Sequence, residues 1–300
     1  MTRVAFVKTR DRLTGVQQAL ELLGAGPFPG KHLFLKPNYN TADPSPGSTH
    51  SDTLTALVRW LQSQGAAGIT VGDRSGMDKT RAVMERKGVF RLAEELGFDA
   101  LVLDELDAGA WERIRMPGSH WRRGFALARP ALDADGIVQA CCLKTHRFGG
   151  HFSMSLKNPV GLVAKQVPGE RYNYMWELHL SRHQRQMIAE INTACRTDLI
   201  VLDGIEAFVT GGPNVGKRVD AEVILAGTDR VAIDAVGVAV LRHLGTTRKV
   251  SQGPIFQLAQ IARAVELGLG VKNPEQIELV SGDAKSEEYA AQIGAILARG

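Results

Sequence analysis

Lys144, His146, His151, Lys157 and Asn158 lie close together in the segment Cys141–Gly161, CCLKTHRFGGHFSMSLKNPVG. Ammonium groups and a side-chain amide suit an anion. Imidazoles transfer protons near neutral pH or ligate a metal. Gly149, Gly150 and Gly161 would let backbone approach a ligand closely. Taken singly, each polar residue is what a solvated loop commonly carries. As a set, next to Ser155, Leu156 and Pro159, which suggest packed backbone, they point to a site.

Further candidates sit at the ends of other apolar runs. HLFLK ends in Lys36, and Asn38 follows after Pro37. GITVGD ends in Asp73, and DLIVLD ends in Asp203. His50 precedes a helical pattern. Lys36, Asn38, Lys144, Lys157 and Asn158 are therefore the expected substrate-binding residues, holding a carboxylate or phosphate. His146 and His50 are the acid–base candidates, and Asp73 or Asp203 would orient one of them. A divalent metal on His146, His151 and Asp203 is the other use of the same residues.

These positions need strands whose carboxyl ends meet. VAFVK, HLFLK, GITVGD, ALVLD, GIVQA and DLIVLD read as short apolar strands, GFALA as a strand by composition, and AEVIL and QIELV as later ones. Helical periodicity separates many of them, through Leu13, Val16 and Leu20, through Leu54, Leu57, Val58 and Leu61, and through Val83 to Leu96 with a break near Gly88. Strands alternating with helices predict an α/β, Rossmann-like fold with a mostly parallel sheet and helices on both faces, in one body or two intimate lobes. In such sheets ligands bind beyond the carboxyl ends of the strands. We expect one domain over 1–284 and an exposed helical tail over 285–300. GIEAFVTGGPNVGK, with its glycines and proline, reads as a turn-rich loop. His179 and His183 read as surface residues sharing one helix face, and Trp176 with Tyr172 and Tyr174 as a lid. Asp234 lies in an apolar helix, where a carboxylate must find a partner or face out.

Composition narrows the classes. The 300 residues are 44% hydrophobic and 23% charged, with 36 basic against 32 acidic side chains, which suits a globular protein. That small, scattered excess argues for a small anionic ligand and against nucleic acid. No apolar run is long enough to span a bilayer, and the amino terminus is too short in apolar residues for a signal peptide. Cys141, Cys142 and Cys195 form neither a disulfide framework nor an iron–sulfur spacing, so a reducing cytoplasm is expected. Neither GxGxxG nor GxxxxGK[ST] occurs, so no NAD or ATP motif is present.

Read in order, KPN (36–38), Thr49–His50, Gly72–Asp73, KTH (144–146), LKN (156–158), LDGIEA (202–207), GGP with Gly216, and TDRVAID (228–234) resemble the domain-of-unknown-function family 362, DUF362. Many members carry an appended ferredoxin-like segment with clustered cysteines. This chain lacks it, so no iron–sulfur cluster is carried over. His146, the glycines and Lys157, together with Asp73–Arg74, are also similar to the pattern of the nickel-pincer lactate racemases, without implying their cofactor.

Together these readings predict an enzyme acting on a hydroxy-acid, keto-acid or phosphate-bearing metabolite by acid–base or redox chemistry, of isomerase, racemase or oxidoreductase type. The alternative is a non-catalytic ligand- or cofactor-binding accessory or redox partner. Assembly as a homo-oligomer is compatible with either.

Overall fold

The structure is a computed structural model describing residues 1–148 and 151–300. Its strands are β1 (Thr2–Lys8), β2 (His32–Lys36), β3 (Gly68–Asp73), β4 (Asp99–Val102), β5 (Trp111–Ile114), β6 (Phe125–Ala128), β7 (Gly136–His146), β8 (His151–Phe152), β9 (Leu199–Gly211), β10 (Gly216–Gly227) and β11 (Ile277–Val280). The main sheet runs β11-β1-β10-β9-β7-β2-β3-β4, with β8 added on the end of β7, and β5 and β6 form a separate hairpin. β1 is parallel to β11, β2 to β3 and β7, β3 to β4, and β7 to β9. β10 runs antiparallel to both β1 and β9. The protein is thus α/β with a mixed, mostly parallel sheet.

Helices cover both faces: α1 (Arg12–Leu23), α2 (Ser51–Ser63), α3 (Thr80–Arg86), α4 (Val89–Leu96), α5 (Arg129–Leu132), α6 (Tyr174–Leu180), α7 (Gln184–Ile191), α8 (Arg230–His243), α9 (Arg248–Ser251), α10 (Ala259–Glu266) and α11 (Ala284–Arg299). Strand alternation divides the core. Ala5 and Val7 of β1 join Val16, Leu20, Leu54 and Leu57 of α1 and α2. Val4 and Phe6 join Val236, Val240 and Ile293 of α8 and α11 on the other side. A third cluster, with Phe34, Trp121, Phe125, Leu162 and Met187, lies under the hairpin, α6 and α7. No described helix is long and apolar enough to cross a membrane.

Several expectations need correction. β7 does not stop at Ala140; it continues to His146 with every position buried, so Lys144 and His146 stand on a strand rather than in a loop. Pairing with β9 sustains it, and the register shifts between Cys142 and Lys144. The turn-rich reading of GIEAFVTGGPNVGK holds only for the turn at 212–215, because Ile205–Gly211 extends β9 and pairs with β10. Long-range ladder pairing overrides local turn propensity there. The terminal helix is no exposed tail: Tyr289, Ile293 and Leu297, four residues apart, bury one face against the core. His179 and His183 share no helix, since α6 ends at Leu180 and His183 caps α7.

Candidate functional site

Lys36 closes β2 and Asp73 closes β3, neighbouring parallel strands, so both side chains emerge at one edge. Lys36 Nζ lies 2.7 Å from Asp73 Oδ1, with both side chains almost wholly buried. Asp73 is also held from the backbone, accepting from the amides of Tyr39 and Arg74, each at 2.6 Å. The chain leaving β2 carries Asn38, whose amide donates to Thr49 Oγ1 at 2.7 Å.

Lys144 and His146 are two apart on β7 and so share a face, while Thr145 points away and donates to Phe208 O at 3.0 Å. Lys144 Nζ donates to Asn38 Oδ1 at 2.9 Å and to Gly47 O at 2.6 Å. His146 is 4% exposed, and its Nδ1 is buried without a hydrogen-bond partner.

Lys157 and Asn158 come from the segment that follows β8. Asp234 of α8 anchors it, accepting from Ser155 N and Oγ at 2.7 and 2.6 Å and from Leu156 N at 3.2 Å. The carboxylate in the apolar helix thus finds partners, although burial still pushes its pKa up to about 7. Asn192 Nδ2 holds Leu156 O at 2.8 Å. Asn158 Nδ2 then donates to Lys36 O at 3.0 Å, tying the segment to the end of β2. Gly161 passes so close to the buried pair that a Cβ there would lie 2.7 Å from Lys36 Nζ and against Asp73. No larger residue fits without moving them.

These elements enclose a pocket of roughly 740 Å³, part of it open to solvent. Lys36, Asn38 and Asp73 line it from the strand ends, Lys144 and His146 from β7, and Lys157 and Asn158 from the segment after β8. Asp73 is the only carboxylate lining it among the described residues.

The electrostatics follow from that imbalance. Burial lowers the Lys36 pKa although Asp73 pulls it upward. Burial likewise lowers Lys144, whose hydrogen-bond partners are neutral. Lys157, half-buried in the wall, is lowered to about 7 by burial and by Arg185, Lys144, Arg74 and Lys36. His146 falls far below the ordinary imidazole value, first through burial and then through Lys157, Arg185 and Lys144, and is neutral at working pH. A pocket with this balance attracts an anion, offers hydrogen-bond donors to it, and keeps its imidazole neutral.

Other expected residues lie elsewhere. His50 caps α2, its Nδ1 accepting from Asp52 N at 3.1 Å, and does not line the pocket. Asp203 accepts from Arg12 Nε and Thr53 Oγ1, both at 2.7 Å. His151 pairs across from His146 between β8 and β7 but does not line the pocket. The metal trio is therefore not drawn together, and among the described residues no group of three His, Cys, Asp or Glu is placed to hold a metal ion. The expectation about Gly149 and Gly150 falls outside the described residues.

Sequence reasoning marked Arg74 only beside Asp73 in the resemblance, and passed over His179 and Arg185 as contributors. Arg74 directly follows Asp73, and its buried guanidinium donates to Val163 O and Val160 O, both at 2.7 Å. His179, read as surface, lines the pocket from its exposed side. Arg185, buried on α7, donates to Phe148 O at 2.8 Å and raises the local positive potential. Nothing local marks Arg185.

The arrangement can be set beside known proteins. The model for the family described as domain of unknown function DUF362 matches residues 33–239, which includes every strand end that lines the pocket. The chain belongs to DUF362. A thylakoid-associated protein from Synechocystis sp. is 28% identical over 239 residues, covering 77% of this chain and 70% of that relative. Among solved structures, the DUF362 chain is similar to the lactate racemase apoprotein from Thermoanaerobacterium thermosaccharolyticum, with a TM-score of 0.49 and 14% identity. That match covers 98% of this chain and 86% of the other.

Proposed function

We propose that the protein is an enzyme acting on a small carboxylate- or phosphate-bearing metabolite, moving a proton at the carbon beside the anionic group. The observation that carries this reading is the uncompensated positive charge of the pocket, where Lys36, Arg74 and Lys144 face a single lining carboxylate, Asp73. Leaving such charges without counter-ions is costly unless a ligand supplies the anion. Lys144 and Lys157, with Asn38 and Asn158, bind the anion. His146, with Nδ1 unpartnered, is the proton acceptor once a bound anion offsets the cations that depress its basicity. Buried acid–base groups at the rim of an α/β sheet support an enzyme over a passive binder.

Two measurements test the reading. Calorimetric titration with inorganic phosphate and with oxalate should show binding by the native protein and its loss in Lys144→Met. Incubation with hydroxy- and keto-acids in deuterated water, followed by proton NMR, should show His146-dependent exchange of the hydrogen beside the anionic group of a hydroxy-acid or beside the carbonyl of a keto-acid. Binding without exchange would favour the accessory, non-catalytic role; no binding of either anion would end the proposal.

A further inference from the structure

We infer that Lys157 acts as a nucleophile, condensing through its amine with the carbonyl of a small 2-oxo acid held in the pocket. This assignment rests on the anion-pocket reading and goes beyond it by giving one lysine a covalent role and the substrate a carbonyl.

The pocket lysines differ in what their amines already do. Lys36 is committed to Asp73 and to Pro37 O. Lys144 is committed to Asn38 Oδ1 and Gly47 O. The Lys157 amine makes no hydrogen bond or ion pair with any described residue, though Lys157 lines the same cavity. Its backbone is nevertheless anchored, because the residues before it are bound to Asp234 and Asn158 is bound to Lys36 O. An amine left free on a rigid support is what attack on a bound electrophile requires.

The groups around it favour the neutral amine. Arg185 of α7, Lys144 of β7, Arg74 after β3 and Lys36 of β2 are all cationic and all act against its protonation. His146 is neutral, and His179 adds no negative charge. Asp73, the one lining carboxylate, is turned to Lys36 and two backbone amides. The same cations that keep Lys157 uncharged attract a carboxylate, and in a 2-oxo acid the carboxylate is bonded directly to the electrophilic carbon. Anchoring the anion therefore brings a carbonyl to the amine.

The chemistry balances without an outside oxidant or reductant. The Lys157 Nζ lone pair forms a C–N bond as the carbonyl π pair moves to oxygen, which takes a proton. Nitrogen loses a proton to give the carbinolamine. The nitrogen lone pair then expels the hydroxyl, which leaves with a second proton as water, and an iminium remains on Lys157. The iminium acidifies the adjacent C–H, and His146, which lines the same cavity, receives that proton.

The experiment is reductive trapping. The full-length protein is incubated with pyruvate and cyanoborohydride, digested and mapped by mass spectrometry, while oxalate binding is measured on the same sample. We expect one reduced pyruvate on the peptide carrying Lys157, with the trapping rate rising from about pH 6 to about pH 8 as the amine loses its proton. Lys157→Met and Lys157→Arg should each abolish the label. Oxalate binding without label at Lys157, or with label only on other lysines, overturns the covalent role and leaves the anion pocket standing. Absence of both binding and label overturns the two together.

Discussion

Asp73 and Asp203 stand on two parallel strands of one sheet, both fully buried and both facing a basic side chain, yet their surroundings differ in sign. Around Asp203 the charges close on themselves. Arg12 meets both Asp203 and Glu206, and Thr53, Ser45 and the amide of Ile205 complete the hydrogen bonding. Around Asp73 one carboxylate faces several cations, and the lysine nearest the cavity has no partner among the described residues. Similar residue types therefore build a finished structural joint in one place and an unfinished binding surface in the other. Charge balance separates them, rather than the presence of acids and bases.

The strongest way to break this comparison is Asp73→Ala. It strands the buried Lys36 ammonium and two amides, and should cost about 3–5 kcal/mol in urea unfolding. Asp203→Ala should cost less, about 1.5–3 kcal/mol, because Arg12 keeps Glu206 and some solvent contact. It should leave oxalate affinity unchanged, and a loss of binding there would erase the distinction between the regions. Gly161→Ala tests how tightly the Lys36–Asp73 pair is enclosed. Overpacking should cost about 1–3 kcal/mol of thermal stability and weaken oxalate binding.

Lys157→Met sharpens the comparison through pH. The folded pKa of Lys157, about 7, lies below its ordinary value, so the unfolded chain binds more protons across the window from about 7 to 10.5. Native stability should rise with pH in that window, by at most about 1.4 kcal/mol per pH unit from this group. The variant should lose that slope, which unfolding curves at several pH values would reveal. Smallest of all, His50→Ala should cost about 1 kcal/mol or less through the lost cap of α2, with no change in oxalate binding.

Much of the fold was legible locally. β1, β2 and β3 are short apolar runs flanked by helical periodicity, and period alone identifies them. The residues between Ile205 and Gly211 were misread because their strand state depends on β10, a partner that local propensity does not see. Tyr289, Ile293 and Leu297 carried a readable apolar stripe, yet its burial depended on β1 and α8 presenting a surface to receive it.

The candidate site divides along the same line. From the chain alone came the residue types, their place at strand ends, and the expectation that Lys36, Asn38, His50, Asp73, Lys144, His146, Lys157 and Asn158 belong together, of which only His50 lies apart. Those follow from alternation in strands and from the rule that loops leave a parallel sheet at one edge. Tertiary structure alone decided that Asp73 would neutralise Lys36, that Asp203 would turn to Arg12, and that Lys157 would be left among cations. Charge compensation is a property of distance in space, and groups far apart in the chain meet only once the sheet has formed.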